Sequence, residues 1–186
     1  MDYGTQLVAL CVVLVVTIEF FQYRRVKLLS TELFEGFLGL SIFCIVCDIG
    51  CIYASFHPQY FSILINRIIH QFFFASLSLV AFYVFIYIDL RGRKVKNYST
   101  LELLLRAIPL IIAILGILFG DINYSVSVKG SYSYGTLVNI VYVMSATYCV
   151  MAIAALAYAV KNRHLVVKYD FIFCFAAWLF IAIYQY

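Results

Sequence analysis

Charge is scarce in this chain. Of 186 residues, 13 are Lys or Arg and 9 are Asp or Glu, which is 12% of the total. Soluble domains carry about a quarter charged residues and are about half apolar. Here 66% of residues are hydrophobic and the mean hydropathy is +1.01, so a water-soluble globular domain is excluded. The usual catalytic signatures are also missing. There is no P-loop, no H-E-x-x-H, no G-x-S-x-G and no dinucleotide fingerprint, and no charged relay crosses the membrane as a proton pump requires. No repeat, low-complexity run or long linker divides the chain, so 1–186 reads as one domain. The start, Met1-Asp2-Tyr3-Gly4, lacks the positive charge of a secretory signal, and no small-residue cleavage pattern is evident; the first apolar stretch is therefore a retained helix.

What the chain has is a series of apolar stretches, each near the roughly 20 residues a membrane-spanning helix needs. The pattern predicts six helices, at about 5–23, 33–53, 61–88, 103–119, 134–160 and 171–186. The expected fold is an all-α integral membrane protein, a six-helix transmembrane bundle. Tyr23, Tyr53, Tyr60, Tyr87, Tyr98, Tyr134, Tyr169 and Tyr184 fall near span ends, as interfacial aromatic belts do.

The basic residues alternate between loops. Arg24, Arg25 and Lys27 follow the first stretch, and no basic residue follows the second. Arg91, Arg93, Lys94 and Lys96 follow the third, Lys129 stands alone after the fourth, and Lys161, Arg163 and Lys168 follow the fifth. Lys and Arg collect in cytoplasmic loops, so the odd loops are expected inside and the N-terminus outside. The net charge of +4 reflects orientation and gives no sign of nucleic-acid binding. Six spans put Tyr186 outside as well. The last stretch is about 24 Å long as a helix, against a hydrocarbon core of about 30 Å. Together these features predict a chain that continues into a seventh helix, lacking here.

Ionisable groups within spans are candidates for function by default. Asp48 lies near the outer end of the second helix, and Arg67 and His70 near the outer end of the third. Asn66, Arg67, His70 and Gln71 share an arc of about 140° on one helix face. Two readings remain open: a structural Asp48–Arg67 salt bridge beside a hydrogen-bonded His70, or a polar pocket that receives a ligand from outside. Asn139, Tyr142, Ser145 and Thr147 offer further polar lining from the fifth helix. The loop 120–133, with Asp121, Asn123, Tyr124, Lys129 and Tyr132, is placed to cap such a pocket. The candidate ligand-binding set is Asp48, Asn66, Arg67, His70, Gln71, Asn139 and Tyr142, with an extracytoplasmic or membrane-soluble ligand. No catalytic residue, metal or cofactor is assigned.

Several other features have plainer readings. Cys11, Cys44, Cys47, Cys51, Cys149 and Cys174 fall within predicted spans, where they act as small apolar residues. Cys44, Cys47 and Cys51 share one face with Asp48, a spacing open to a soft metal, but one helix face rarely supplies a full shell. Glu19, near Arg24 and Arg25, reads as a snorkelling interfacial carboxylate. Pro109 predicts a kink in the fourth helix, with neighbours satisfying the freed carbonyl. Gly116 and Gly120, and Ala155 and Ala159, have the four-residue spacing that lets helices approach closely; packing within the bundle is favoured over a dimer contact.

The segments RRVKLLSTELFEGFLGLSIFCIVCDIG, NRIIHQFFFASLSLVAFYVFIYI and YSYGTLVNIVYV together resemble the N-terminal multi-helix membrane region of bacterial GGDEF-type diguanylate cyclases. The resemblance covers most of the chain and rests mainly on Asp48 and on Asn66, Arg67 and His70. It implies a sensor or input domain in the bacterial cytoplasmic membrane. That domain would regulate a C-terminal cytoplasmic output domain that makes cyclic di-GMP from two GTP molecules and dimerises. No Gly-Gly-Asp/Glu-Glu-Phe motif is present, so this chain is not itself the cyclase. An alternative that fits the chain's size is the six-helix substrate-binding subunit of a vitamin-type transporter; members of that class resemble one another in having both termini cytoplasmic, whereas the loop charges here put both outside. A third reading, a membrane enzyme with Asp48 and His70 as an acid–base pair, lacks a nucleophile or metal.

Overall fold

The structure is a computed structural model that describes residues 4–22, 29–93, 98–127 and 130–161. Among these residues it forms α1 (Gly4–Gln22), α2 (Leu29–Phe56), α3 (Ile63–Arg93), α4 (Thr100–Phe119) and α5 (Thr136–Lys161). Between α4 and α5 lies an antiparallel hairpin of β1 (Asn123–Ser127) and β2 (Gly130–Tyr134). All five helices are long and apolar enough to cross a membrane. The sixth predicted helix, 171–186, lies outside the described residues, as do Arg24, Arg25, Lys27, Lys94, Lys96, Lys129, Arg163 and Lys168.

Helices consecutive in the chain run antiparallel. On the α1–α2 seam Gln6 meets Asp48, and Phe20 stacks against Phe34. Gly36 faces Tyr83 and Gly50 faces Ile69 between α2 and α3. Arg67 reaches Gly120 and Asp89 reaches Arg106 between α3 and α4. Gly116 faces Ile140 between α4 and α5. The bundle thus has a hairpin end and an opposite basic end, where α3 closes with Arg91 and Arg93 and α5 with Lys161.

The core is built on α3, which packs against α2, α4 and α5. Phe74, Ala81, Phe85 and Ile86 of α3 are buried against Leu110, Ala113 and Ile117 of α4 and Leu137, Val141, Met144 and Tyr148 of α5. Among the described elements, α1 touches α2 alone. On α4 the exposed residues Leu101, Leu104, Leu105, Ile108, Ile111, Ile112, Leu115 and Leu118 form one continuous face. Water would not tolerate an apolar face of that size. A bilayer does, because the helices satisfy their own backbone groups.

Local chemistry sets the ends of α4. Ser99 accepts from the Glu102 backbone N–H while the Glu102 carboxylate accepts from the Ser99 N–H, a reciprocal capping box. It starts α4 three residues before the expected position. At the other end a Cβ on Gly116 would meet Ile140 Cδ1 at 2.6 Å, so α4 and α5 touch there through the missing side chain. Ala155 and Ala159 are buried within the bundle as well. Both small-residue pairs therefore serve packing inside the bundle, as expected.

One element was not expected. The 120–133 loop carries the hairpin, so the purely α-helical reading is corrected there. Its Tyr and Ser residues alternate through Asn123-Tyr-Ser-Val-Ser and Gly-Ser-Tyr-Ser-Tyr, the period of a strand, and Asn123 pairs with Tyr134. Gly135 then turns the chain into α5 at φ 129°, a conformation that favours glycine. The Leu137 N–H, one of the free donors of the first turn, bonds to the Asp121 carbonyl. Both strands contact α2, and β2 contacts α5, so the hairpin covers the end of the bundle where α2 finishes.

Candidate functional site

Among the described residues, the seven residues proposed from sequence take different partners. Asp48 accepts a hydrogen bond from Gln6 Nε2 at 3.3 Å, a link between α1 and α2. Arg67 donates to the Gly120 carbonyl at 3.2 Å, and Gln71 donates to the Ile117 carbonyl at 2.9 Å. These two α3 side chains, one turn apart, satisfy carbonyls that the last turn of α4 leaves free. The cationic one also faces the negative end of the helix dipole. Asp48 and Arg67 therefore do not pair. The helix register explains why: Gly50 lies opposite Ile69, so Asp48 is level with the residues after His70 and not with Arg67.

His70 is buried, with Nδ1 at 2.9 Å from the Asn66 carbonyl one turn earlier. The Asn66 side-chain oxygen is buried and has no hydrogen-bond partner among the described residues. The same holds for Gln6 Oε1 and for Nδ1 of His57, which stacks on Tyr53 at 4.5 Å. All three orphaned atoms lie toward the hairpin end. Buried polar atoms without partners are rare and each calls for a reason, such as a missing ligand or water.

Asn139 and Tyr142 sit elsewhere. Tyr142 is exposed on the outer surface of α5. Asn139 borders a groove of about 430 Å³ along the α4–α5 seam, with Ile108, Pro109 and Ile112 on one side and Val143, Met144 and Thr147 on the other. Volumes of this size are typical of small-molecule sites, which run from about 300 to 1,000 Å³. Of the seven candidates, Asn139 is the one on this groove.

The groove ends at Pro109, and there the structure supplies a link that sequence reasoning did not single out. The Tyr148 hydroxyl accepts from the Leu110 N–H at 3.1 Å and donates to the Arg106 carbonyl at 3.1 Å. Those are the two backbone groups that a straight helix would join directly. The side chain that reaches both groups beside Pro109 is a fully enclosed Tyr stacked on Phe85. The carbonyl that Pro109 itself frees is that of Leu105, one residue before the group Tyr148 reaches.

Arg106 extends the network. Its Nε donates to Asp89 Oδ2 at 2.7 Å, with Asp89 almost fully buried. The Tyr98 hydroxyl donates to the same oxygen at 3.0 Å, and the guanidinium lies 4.7 Å over the Tyr98 ring. Neither Asp89 nor Arg106 stands among the candidates drawn from sequence. The signal was present, since Asp89 and Arg106 both sit next to span boundaries, but only antiparallel packing of α3 and α4 shows that they face each other.

The five described cysteines, Cys11, Cys44, Cys47, Cys51 and Cys149, are free thiols. Among the described residues no set of three His, Cys, Asp or Glu side chains converges as metal ligands. Comparison with protein-family models, with curated proteins and with solved structures finds no significant match to this chain.

Proposed function

We propose that this chain is a membrane-embedded input domain that receives a signal at its hairpin end and transmits it through α4 and α5 to its basic end. The observation that carries the reading is the Tyr148 hydroxyl on α5, bonded to the Leu110 N–H and the Arg106 carbonyl of α4 beside Pro109. It lies between the groove along the α4–α5 seam, which ends at Pro109 and Thr147, and the Asp89–Arg106 pair. A ligand that favours one packing of α4 against α5 shifts the balance between packings, and the Tyr148 bonds carry that shift to Arg106.

The basic loops orient the hairpin end outside and the basic end in the cytoplasm. The loose resemblance to the membrane regions of GGDEF proteins supplies the output: a cytoplasmic domain that makes cyclic di-GMP. Cells expressing the product of the gene that encodes this chain are expected to accumulate cyclic di-GMP above cells with an empty vector. Equal levels would overturn the output assignment. A cysteine introduced at Asp2 is expected to react with a membrane-impermeant maleimide applied to intact cells. Protection of that cysteine would favour the vitamin-type transporter reading, with its cytoplasmic termini.

A further inference from the structure

Donors and acceptors do not balance on the α1–α2 seam. Gln6 Nε2 donates to Asp48 Oδ2 at 3.3 Å, and among the described residues that is the one hydrogen bond the Asp48 carboxyl group makes. The other half of the Gln6 amide, Oε1, is buried and finds no donor among the described residues. An amide needs both a donor and an acceptor opposite it, whereas an ionised carboxylate only accepts. An ionised Asp48 therefore leaves Oε1 stranded beside a group that cannot serve it. A protonated Asp48 has an O–H to give.

The place of the pair favours the neutral form as well. With 19 residues, α1 is about 28 Å long, against a hydrocarbon core of about 30 Å. Gln6 is its third residue, so the pair lies just inside the hairpin-side edge of the hydrocarbon, within reach of protons from that side. A charge there needs a countercharge. On α2 the ionisable neighbours of Asp48 are Cys44, Cys47 and Cys51, and none is a cation. On α3 the Arg67 guanidinium is turned to the Gly120 carbonyl and His70 to the Asn66 carbonyl. Around the hairpin the described titratable residues are Asp121 and Tyr134, both exposed. A carboxyl group in apolar surroundings without a cation neutralises.

We propose that Asp48 is a proton-binding site: it is held as the neutral acid, its Oδ1–H donating to Gln6 Oε1 while Gln6 Nε2 donates to Oδ2, so that two bonds close a ring between α1 and α2. The site lies on a different seam from the Tyr148 link and does not depend on the input-domain reading. Among the described elements α1 touches α2 alone, so the ring bears directly on how α1 is held. With the proton bound the ring is complete. As pH rises and the proton leaves, one bond is lost and a bare carboxylate faces Oε1, so the hold of α2 on α1 weakens toward alkali.

The test is infrared spectroscopy of the purified full chain in dodecyl maltoside, a detergent with no carbonyl group, titrated from acid to alkaline buffer. A protonated carboxyl group shows a C=O stretch above the amide I band, and an ionised one does not. The wild-type chain is expected to show that band at neutral pH and to lose it reversibly in alkali. Asp48→Asn is expected to abolish the band; its amide still offers Gln6 a donor and an acceptor, so the helix pair is kept. Gln6→Leu is expected to retain the band and shift it to higher frequency, because the acid loses both partners. Absence of the band from the wild type at neutral pH, its persistence in Asp48→Asn, or an unshifted band in Gln6→Leu would overturn the proposal. So would a band that added sodium removes at constant pH, which would mean a cation in place of the proton. None of these readouts involves a cyclase output.

Discussion

At the basic end Asp89, Arg106, Tyr98 and Tyr148 bind one another and tie α3, α4 and α5 together. At the hairpin end Gln6, His57 and Asn66 each keep a buried polar atom with no hydrogen-bond partner among the described residues. The polar contacts made there, Gln6 to Asp48 and Arg67 and Gln71 to the end of α4, join helices in pairs. The difference teaches where stability and where response reside. A satisfied buried network rigidifies its surroundings. Unsatisfied polar groups lower stability and recur at sites kept for function.

Substitutions can break or sharpen that contrast, with stability read from unfolding of the purified chain in mixed detergent micelles. The largest effect is expected for Arg106→Ala. It leaves the Asp89 carboxylate buried without its cation, a loss of about 3–5 kcal/mol, and a paired Asp89→Leu change should recover much of it. Next comes Gly116→Val. The added side chain collides with Ile140, and overpacking of this kind destabilises by about 1–3 kcal/mol. Tyr148→Phe keeps the ring against Phe85 but strands the Leu110 N–H and the Arg106 carbonyl, at a cost of about 1–2 kcal/mol. Gln71→Leu at the hairpin end should cost only about 0.6 kcal/mol, the average for a side-chain hydrogen bond within a membrane protein. Asn66→Leu should be neutral or slightly stabilising, because it removes an orphaned oxygen. A large loss from Asn66→Leu would mean that the hairpin end is closed as tightly as the basic end.

The helices themselves were legible from hydropathy, because a membrane span has to satisfy its own backbone and therefore announces its length in apolar residues. The four described spans with predicted counterparts at 33–53, 61–88, 103–119 and 134–160 overlap α2 to α5, and the first overlaps α1. Pro109 was also readable, because its missing N–H is a property of the residue. The hairpin was missed because a short alternating Tyr and Ser run between two long apolar stretches looks like any polar loop.

The site was less legible for a physical reason. Periodicity says which residues share a helix face, and it did so for Asn66, Arg67, His70 and Gln71. It does not give the register between helices. One turn of offset sends Arg67 to the Gly120 carbonyl in place of Asp48. The Asp89–Arg106 pair and the Tyr148 bridge depend wholly on inter-helix register, over separations of 17 and 42 residues. Asn139 was proposed as lining, and it does border a groove, but one facing outward between α4 and α5.

The central claim is that Tyr148 connects the groove to the basic end, and Tyr148→Phe tests it most directly. The measurement is cyclic di-GMP in cells expressing the gene product, wild type against Tyr148→Phe, at matched protein abundance. Coupling energies between sites are usually worth about 5- to 150-fold, so the account expects the two levels to differ by about fivefold or more. Equal levels, both well above the empty vector, would contradict it.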